Sequence, residues 1–312
     1  MTLKNPLFMG IDAGSTKIRA LIFDIKGFLI AQASMQMPTI YSNLGWAHYD
    51  PTKLWEIAVK VINKSLSFVD DSKRVVSVAI ASVGETAIIL DNNDLPIYHS
   101  IAWFDKRAKE QSERIEKMIG SERLFKITGL TQEPIFVINK MLWLKENEPE
   151  VYEKSSKWVI IANYIAWKLS GEQATDYSLA CRTMAFDLQK LDWSQEIIKE
   201  LNLKKSFFPE VRPTGTKLNY VTEEASKRTD LSTDCIVGIG GHDHPLSALV
   251  TGSIRTGVMS NSIGTAECLI TGIEKPSLNL QLKDLGLAEH VIVTEHKQYY
   301  YIFGSIWTSS AS

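Results

Sequence analysis

The stretch that most constrains the fold is a glycine-rich turn between two apolar runs near the N-terminus. The first run leads into Asp12, Gly14, Ser15 and Thr16, and the second run follows at once. This pattern predicts a strand, a tight turn and a second strand. Glycine lets the backbone approach a ligand closely, and consecutive turn N–H groups form an anion-binding concavity. The turn is therefore either a phosphate cradle with a hydrated magnesium ion at Asp12, or a simple hairpin with a polar tip.

Composition limits the class of protein. The 312 residues, of which 45% are hydrophobic and 22% charged, allow a sizeable core and two domains. A net charge of -2 argues against general nucleic-acid binding. No run of eighteen apolar residues exists and residues 1–6 lack the apolar region of a signal peptide, so we expect no membrane span. The widely spaced Cys181, Cys235 and Cys268 predict reduced thiols in a cytoplasmic protein.

The order of apolar runs predicts mixed α/β structure. Three sequential strands, ending before Pro38, form a meander. A helix is predicted from Pro51 to about Phe68, with Asp50 as its N-cap. The apolar run 75–81 is typical of a strand covered on both faces, and 97–103 predicts another strand. Residues 175–187 are interpreted as a polar loop that leads into a strand-like stretch. Further helices are predicted near 108–119, 140–149, 160–169, 194–203, 221–227 and 246–250.

A second copy of the opening pattern occurs late in the chain. Residues 257–270 again contain an apolar run, a Gly-Thr turn and a second apolar run. The recurrence predicts a strand, turn and strand here as well, and suggests a duplicated architecture.

Two aspartates are candidates for a single cleft. Asp12 and Asp243 each follow an apolar strand in a glycine-flanked turn, and ligands of α/β sheets lie beyond the carboxyl ends of strands. Gly240 and Gly241 would allow a substrate to approach Asp243 closely. Asp243 then either accepts a proton from an attacking hydroxyl or caps the helix predicted near Leu246.

Polar and aromatic residues at other strand ends suggest a ligand with many hydroxyl groups. Glu85, Trp103 and Asp105 can together hydrogen-bond to such a ligand and stack against it. The alternative for Trp103 is burial in the core. His242 and His244 have no evident third metal ligand, so a role without metal is favoured for them.

In this order, the motifs resemble the FGGY family of carbohydrate kinases over nearly the whole chain. Residues 10–16 with Arg19 are similar to the first phosphate motif of that family, and 240–243 are similar to the segment that carries its general base. Residues 262–265 resemble its second phosphate loop. Other stretches that resemble family sequences are 45–51, 81–91, 101–107 and 140–147.

The resemblance implies an α/β protein with the actin-like ATPase (ribonuclease H-like) fold, with a complete first domain and the beginning of a second. Residues 1–245 would form the N-terminal sugar-binding domain and 246–312 the start of the ATP-binding domain. The implied reaction is ATP-dependent phosphorylation of a hydroxyl of a sugar, polyol or sugar acid, with ATP and Mg²⁺ as cofactors. By the same resemblance, Asp243 is the general base; Asp12 and Asp243 hold the metal; Gly14, Ser15, Thr16, Gly264 and Thr265 line the ATP phosphates; and Glu85, Thr86, Trp103 and Asp105 hold the substrate.

Departures from the family pattern leave the substrate open. The pair Glu85-Thr86 is nearer to glycerol kinases than to xylulose kinases, which tend to have Gln-Met there. Gly84, however, stands where glycerol kinases carry arginine, which argues against glycerol. Ile135 and Val137 depart from the first half of the signature around residue 140.

Family chains continue well past the position of Ser312, and the part that follows contains their adenosine loop. The expectation is therefore a truncated chain that holds sugar weakly and has little kinase activity alone. The alternative is a catalytically silent sugar-binding or regulatory module, and a third hypothesis is an actin-like filament protein, which the sugar-site residues disfavour. The expected partner is a small sugar or polyol, without nucleic acid or membrane, and a homodimer is left open.

Overall fold

The computed structural model describes residues 5–263 and 266–307, and strands and helices alternate along them. The strands are β1 Leu7–Ala13, β2 Lys17–Asp24, β3 Leu29–Gln36, β4 Ile40–Tyr41, β5 Ala47–Tyr49, β6 Val75–Ser82, β7 Ala87–Leu90, β8 Ser100–Ile101, β9 Lys157–Ile160, β10 Thr175–Asp176, β11 Phe186–Asp187, β12 Asp192–Trp193, β13 Val211–Arg212, β14 Lys217–Tyr220, β15 Ile236–His242, β16 Ser260–Ile263, β17 Ala266–Ile273, β18 Ala288–Val293 and β19 Gln298–Trp307. The helices are α1 Pro51–Leu66, α2 Lys109–Ile119, α3 Ser121–Thr128, α4 Val137–Asn147, α5 Pro149–Lys154, α6 Ile161–Ser170, α7 Tyr177–Cys181, α8 Gln195–Glu200, α9 Glu223–Thr229, α10 Asp243–Thr251 and α11 Leu280–Asp284.

A six-stranded sheet with the order β14-β15-β6-β1-β2-β3 forms the centre of the fold. Strands β1, β2 and β3 are the predicted antiparallel meander. Strands β6 and β15 both run parallel to β1 within the sheet. The carboxyl ends of these three parallel strands therefore meet at one edge, where ligands of such sheets bind.

Helix α1 shows why the local predictions succeeded. The Asp50 carboxylate accepts hydrogen bonds from the backbone N–H groups of Thr52 (2.8 Å) and Lys53 (3.2 Å), and Pro51 occupies the first turn. The apolar face of the helix packs on β2 and β3. Each of the other predicted helices has a counterpart, with bounds shifted by a few residues. Among the described residues, no helix is long and apolar enough to cross a membrane.

A second sheet, with the order β16-β17-β19-β18, is antiparallel throughout. Strands β16 and β17 are the predicted second strand pair, although Gly264 and Thr265 between them lie outside the described residues. This sheet has its own small apolar cluster, which includes Ile254, Ile270 and Tyr301. This second strand pair thus belongs to a separate sheet.

The prediction of a polar loop at residues 175–187 was wrong. This segment contains β10, helix α7 and β11, and nearly all of it is buried. Its polar side chains are paired inside the protein. The buried Asp176 carboxylate, for example, accepts hydrogen bonds from the hydroxyl groups of Ser178 and Thr214. The predicted strand at 97–103 is also shorter than expected, being only Ser100–Ile101.

Candidate active site

A cavity of about 270 Å³ lies between the edge of the central sheet and the second sheet. This volume is near the lower end of small-molecule sites, about 300–1,000 Å³. The second sheet contributes Phe303 and Ser305 to its walls. Five residues predicted from the sequence also line it, namely Gly14, Ser15, Glu85, Trp103 and Asp243.

Other predicted residues lie outside the described lining of this cavity. Thr86 is fully buried, Asp12 lies near the end of β1, and Thr16 is an exposed residue of the turn that follows β1. The Asp105 side chain accepts hydrogen bonds from Arg107 Nε (2.9 Å) and Nη2 (2.8 Å) and from the backbone N–H of Ala47 (2.5 Å). Asp105 therefore ties its own loop to the start of β5. Gly264 and Thr265 fall outside the described residues.

Asp243 is delivered to the cavity by the carboxyl end of β15. It is the first residue of α10, so the N-cap position belongs to His242, and the capping alternative for Asp243 was wrong. Its Oδ1 accepts a hydrogen bond from the backbone N–H of His244 (2.7 Å). The pKa of the Asp243 carboxyl is raised to about 6, chiefly by burial. The negative charges of Asp12 and Glu85 also raise this pKa, whereas His244 lowers it. At neutral pH this group is an ionised but relatively basic carboxylate.

The glycines before Asp243 are explained by contacts within the protein. A Cβ atom at Gly240 would lie 1.8 Å from the carbonyl oxygen of Ile80, and one at Gly241 would lie 2.8 Å from Ser178 Oγ. The expectation that they leave room for a substrate was therefore wrong. They let β15 lie against β6 and let α7 approach the end of the strand.

A buried chain of hydrogen bonds fixes the end of β15. Ser178 Oγ donates to Asp176 Oδ2 (2.5 Å) and accepts from the backbone N–H of His242 (2.9 Å). Burial lowers the pKa of His242 well below its ordinary value, so the ring is neutral. Its Nε2 lies 3.4 Å from Asp243 Oδ1. Helix α7 thus holds the backbone of His242, the residue next to the candidate base, through Ser178.

Arg182 is the principal site residue that sequence reasoning missed. It follows α7, and its guanidinium Nε donates to the Glu85 carboxylate in a buried ion pair. The guanidinium carbon also lies 5.1 Å from the ring of Phe136 and 5.4 Å from that of Phe303. A Cβ atom at Gly84 would lie 2.7 Å from Arg182 Cγ. Gly84 therefore makes room for an arginine from another segment.

Lys140 forms a second contact with Glu85, at the backbone of that residue. Its side chain is almost completely buried, and Nζ donates to the backbone carbonyl of Glu85 (2.7 Å). Burial lowers the pKa of Lys140 to about 7 from its ordinary 10.5, and the charges of Glu85 and Asp105 oppose the shift. Lys140 therefore changes charge near neutral pH in the folded protein.

We expect this buried amine to make the folded protein more stable as the pH rises from about 7 to about 9. In that window the unfolded chain keeps the Lys140 proton while the folded chain releases it, so the free energy of unfolding rises with pH by about 2 kcal/mol from this group. Urea unfolding of wild type and Lys140→Met at both pH values measures the difference. An equal pH dependence in the two proteins would contradict the assignment.

The opening turn forms part of the cavity wall through Gly14 and Ser15. Trp103 Nε1 donates to Ser15 Oγ (2.7 Å), which joins an aromatic wall residue to the turn. Asp12 Oδ2 accepts from Arg19 Nη2 (2.6 Å) and Nε (3.0 Å) in a partly exposed ion pair. Magnesium binds through few carboxylates and keeps most of its waters. Burial is the main cause of the raised pKa of Asp243, and the negative charge of Asp12 adds to it, so the two carboxylates are near enough to interact and fit such an ion.

Comparison with known proteins agrees with this geometry. Residues 7–250 match the model of the N-terminal domain of the FGGY family of carbohydrate kinases. The chain is 26% identical over 309 residues to glycerol kinase of Thermococcus gammatolerans, covering 97% of this chain and 61% of that protein.

Solved structures show the same fold. Xylulose kinase from Rhodospirillum rubrum superposes with a TM-score of 0.90 at 24% identity, covering 98% of this chain and 62% of that one. Gluconate kinase from Lactobacillus acidophilus gives 0.87 at 24% identity, covering 97% and 60%. The chain thus spans about 60% of the length of the relatives it matches. These relatives are named for a polyol, a ketose and a sugar acid, so the fold alone leaves the substrate open.

Proposed function

Because the chain belongs to the FGGY family of carbohydrate kinases, we propose that its cavity binds a sugar or polyol for ATP-dependent phosphorylation, with Asp243 as the general base. The observation that carries the proposal is that Asp243, Glu85 and Trp103 line one cavity at the carboxyl edge of β1, β6 and β15. A carboxylate with a pKa of about 6 is ionised at neutral pH and can take the proton of a substrate hydroxyl.

The other wall residues have separate roles in this proposal. Glu85, oriented by Arg182, accepts hydrogen bonds from substrate hydroxyls. Trp103 covers the apolar face of the carbon chain. Thr86 and Asp105 lie outside the described lining, so their roles in this proposal are indirect. Asp105 holds the loop that carries Arg107 in place.

ATP supplies the phosphoryl group that the substrate hydroxyl attacks. Gly14, Ser15 and Thr16 of the opening turn would hold its phosphates, and Asp12 with Asp243 would hold the magnesium ion. The charge of Asp12 contributes to the raised pKa of Asp243, which indicates that the two carboxylates interact and supports that assignment. For Gly264 and Thr265, the proposal rests on sequence resemblance.

We also propose a domain boundary near residue 245. The separate apolar cluster of the second sheet supports a division into 1–245 and 246–312, although a further cluster joins Cys181 and Phe186 to Val291. The three cysteines are buried unpaired thiols, which supports the proposed cytoplasmic location.

Thermal unfolding with a panel of ketopentoses, polyols and aldonates tests the binding step. A ligand present at about 100 times its dissociation constant stabilises the folded state by about 2.7 kcal/mol, a shift of several degrees. Polyols also stabilise proteins by exclusion from their surface, so Trp103→Ala is the control that should lose only the specific shift. If no compound gives a shift that depends on Trp103, the proposed site is wrong.

Transfer of labelled phosphate from ATP to the bound compound tests the chemical step. Sugar binding combined with measurable transfer is the expected result. Binding without transfer or ATP hydrolysis would instead indicate the catalytically silent sugar-binding module.

A further inference from the structure

We infer that the cavity selects an uncharged polyhydroxylated substrate and rejects the corresponding sugar acid, because its guanidinium group is already held by Glu85. This inference rests on the proposed function of the cavity and narrows its substrate class. The family relatives leave that class open, since their names include both gluconate kinase and xylulose kinase.

The first argument is the balance of charge on the walls. Among the described lining residues, Glu85, Glu133 and Asp243 are carboxyl groups, and Arg182 is the one arginine or lysine. A substrate carboxylate would enter a cavity with more acidic than permanently basic groups. Like charges brought together in a desolvated site cost binding free energy.

The second argument is that the charge of Arg182 is already balanced by Glu85. Its side chain is 8% exposed, and its Nε donates to the Glu85 carboxylate, whose own side chain is 6% exposed. Nη1 lies 3.3 Å from His290 Nε2. The stem of the side chain is fixed against Gly84. A substrate carboxylate that approached this guanidinium would have to share one positive charge with the buried Glu85 carboxylate, or displace it and leave a buried charge unpaired, and both are unfavourable.

The third argument concerns Glu133, which also lines the cavity. Burial raises the pKa of Glu133 and the charge of Glu85 raises it further, while Arg182 opposes the rise. An ionised Glu133 repels a substrate carboxylate, and a protonated Glu133 adds no positive charge to the cavity.

Calorimetric titration of the full chain with matched pairs tests the inference. The pairs are xylitol with D-xylonate and D-glucitol with D-gluconate, in which a hydroxymethyl group is exchanged for a carboxylate, and D-xylulose and D-ribulose are the neutral ketoses. We expect at least one neutral compound to bind, and both acids to bind at least about tenfold more weakly than the best neutral compound. An acid that binds as tightly as that compound overturns the inference and leaves the proposed function intact. If neither the neutral compounds nor the acids bind, both the inference and the proposed function are wrong.

Two variants identify the residues responsible. Glu85→Gln releases Arg182 from its carboxylate and should strengthen acid binding about tenfold while weakening neutral binding. Glu133→Gln removes a carboxyl group without disturbing that ion pair, and should strengthen acid binding by a smaller factor. Glu196→Gln makes the same charge change in an exposed ion pair with Arg123, away from the cavity, and should leave both affinities unchanged. If the control changes acid binding as much as the cavity variants do, or if both cavity variants leave it unchanged, the assignment is wrong.

Discussion

Replacing Asp243 with asparagine is expected to slow phosphoryl transfer about 10²–10⁴-fold, the usual contribution of a general base. The amide keeps the shape of the side chain, and its oxygen can still accept the backbone N–H of His244, as Oδ1 does now at 2.7 Å. It has no basic oxygen to take the hydroxyl proton. Sugar affinity should therefore change far less than the rate. Single-turnover transfer from labelled ATP gives the rate, and calorimetry gives the affinity.

The matched control for this loss of charge is Asp284→Asn, whose side chain is 70% exposed. It should leave both rate and affinity unchanged. An undiminished rate in Asp243→Asn would remove Asp243 from the chemistry. A rate recovered by excess magnesium would instead indicate that its main contribution is to hold the metal.

Replacing Gly240 with alanine is expected to destabilise the folded state by about 4 kcal/mol or more, at the upper end of single substitutions. The added Cβ would lie 1.8 Å from the carbonyl oxygen of Ile80 and 2.5 Å from its carbonyl carbon. Because both contacts are with backbone, no side chain can rotate to relieve them. Strand β15 would have to separate from β6, which also displaces Asp243. Urea unfolding, or the yield of folded protein, measures the effect.

Gly238→Ala on the same strand is the control for Gly240→Ala. The nearest atoms to its added Cβ are 3.9 Å away, an ordinary contact. Its free energy of unfolding should stay within about 1 kcal/mol of wild type. Equal stability of the two variants would show that β15 does not lie against β6 as described.

The parts of the fold that sequence predicted well are determined locally. The meander follows from apolar runs separated by tight turns, and α1 follows from a capping aspartate, a proline and apolar spacing. The segment 175–187 failed for a physical reason. Its polar residues, such as Asp176 and Ser178, find their partners inside the protein, and a single sequence does not distinguish internal partners from solvent.

The candidate site was predictable only where position along a strand determines position in space. Asp243 and Glu85 follow strands whose carboxyl ends share an edge, so their convergence was foreseeable. Arg182 pairs with a residue 97 positions away, and no local pattern indicates that pair. Asp105 illustrates a different limit, since a carboxylate after a strand gives the same sequence pattern whether it faces a ligand or pairs with Arg107.

The cavity has walls from two sheets, with Glu85 and Asp243 near the central sheet and Phe303 and Ser305 on β19. A ligand that contacts both walls favours the arrangement in which the second sheet packs against the central sheet. Thermodynamic linkage then makes the effect reciprocal. The factor by which sheet packing increases ligand affinity equals the factor by which the bound ligand increases the equilibrium constant for packing. Substitutions in the second sheet, remote from any substrate atom, can therefore change the dissociation constant of the sugar.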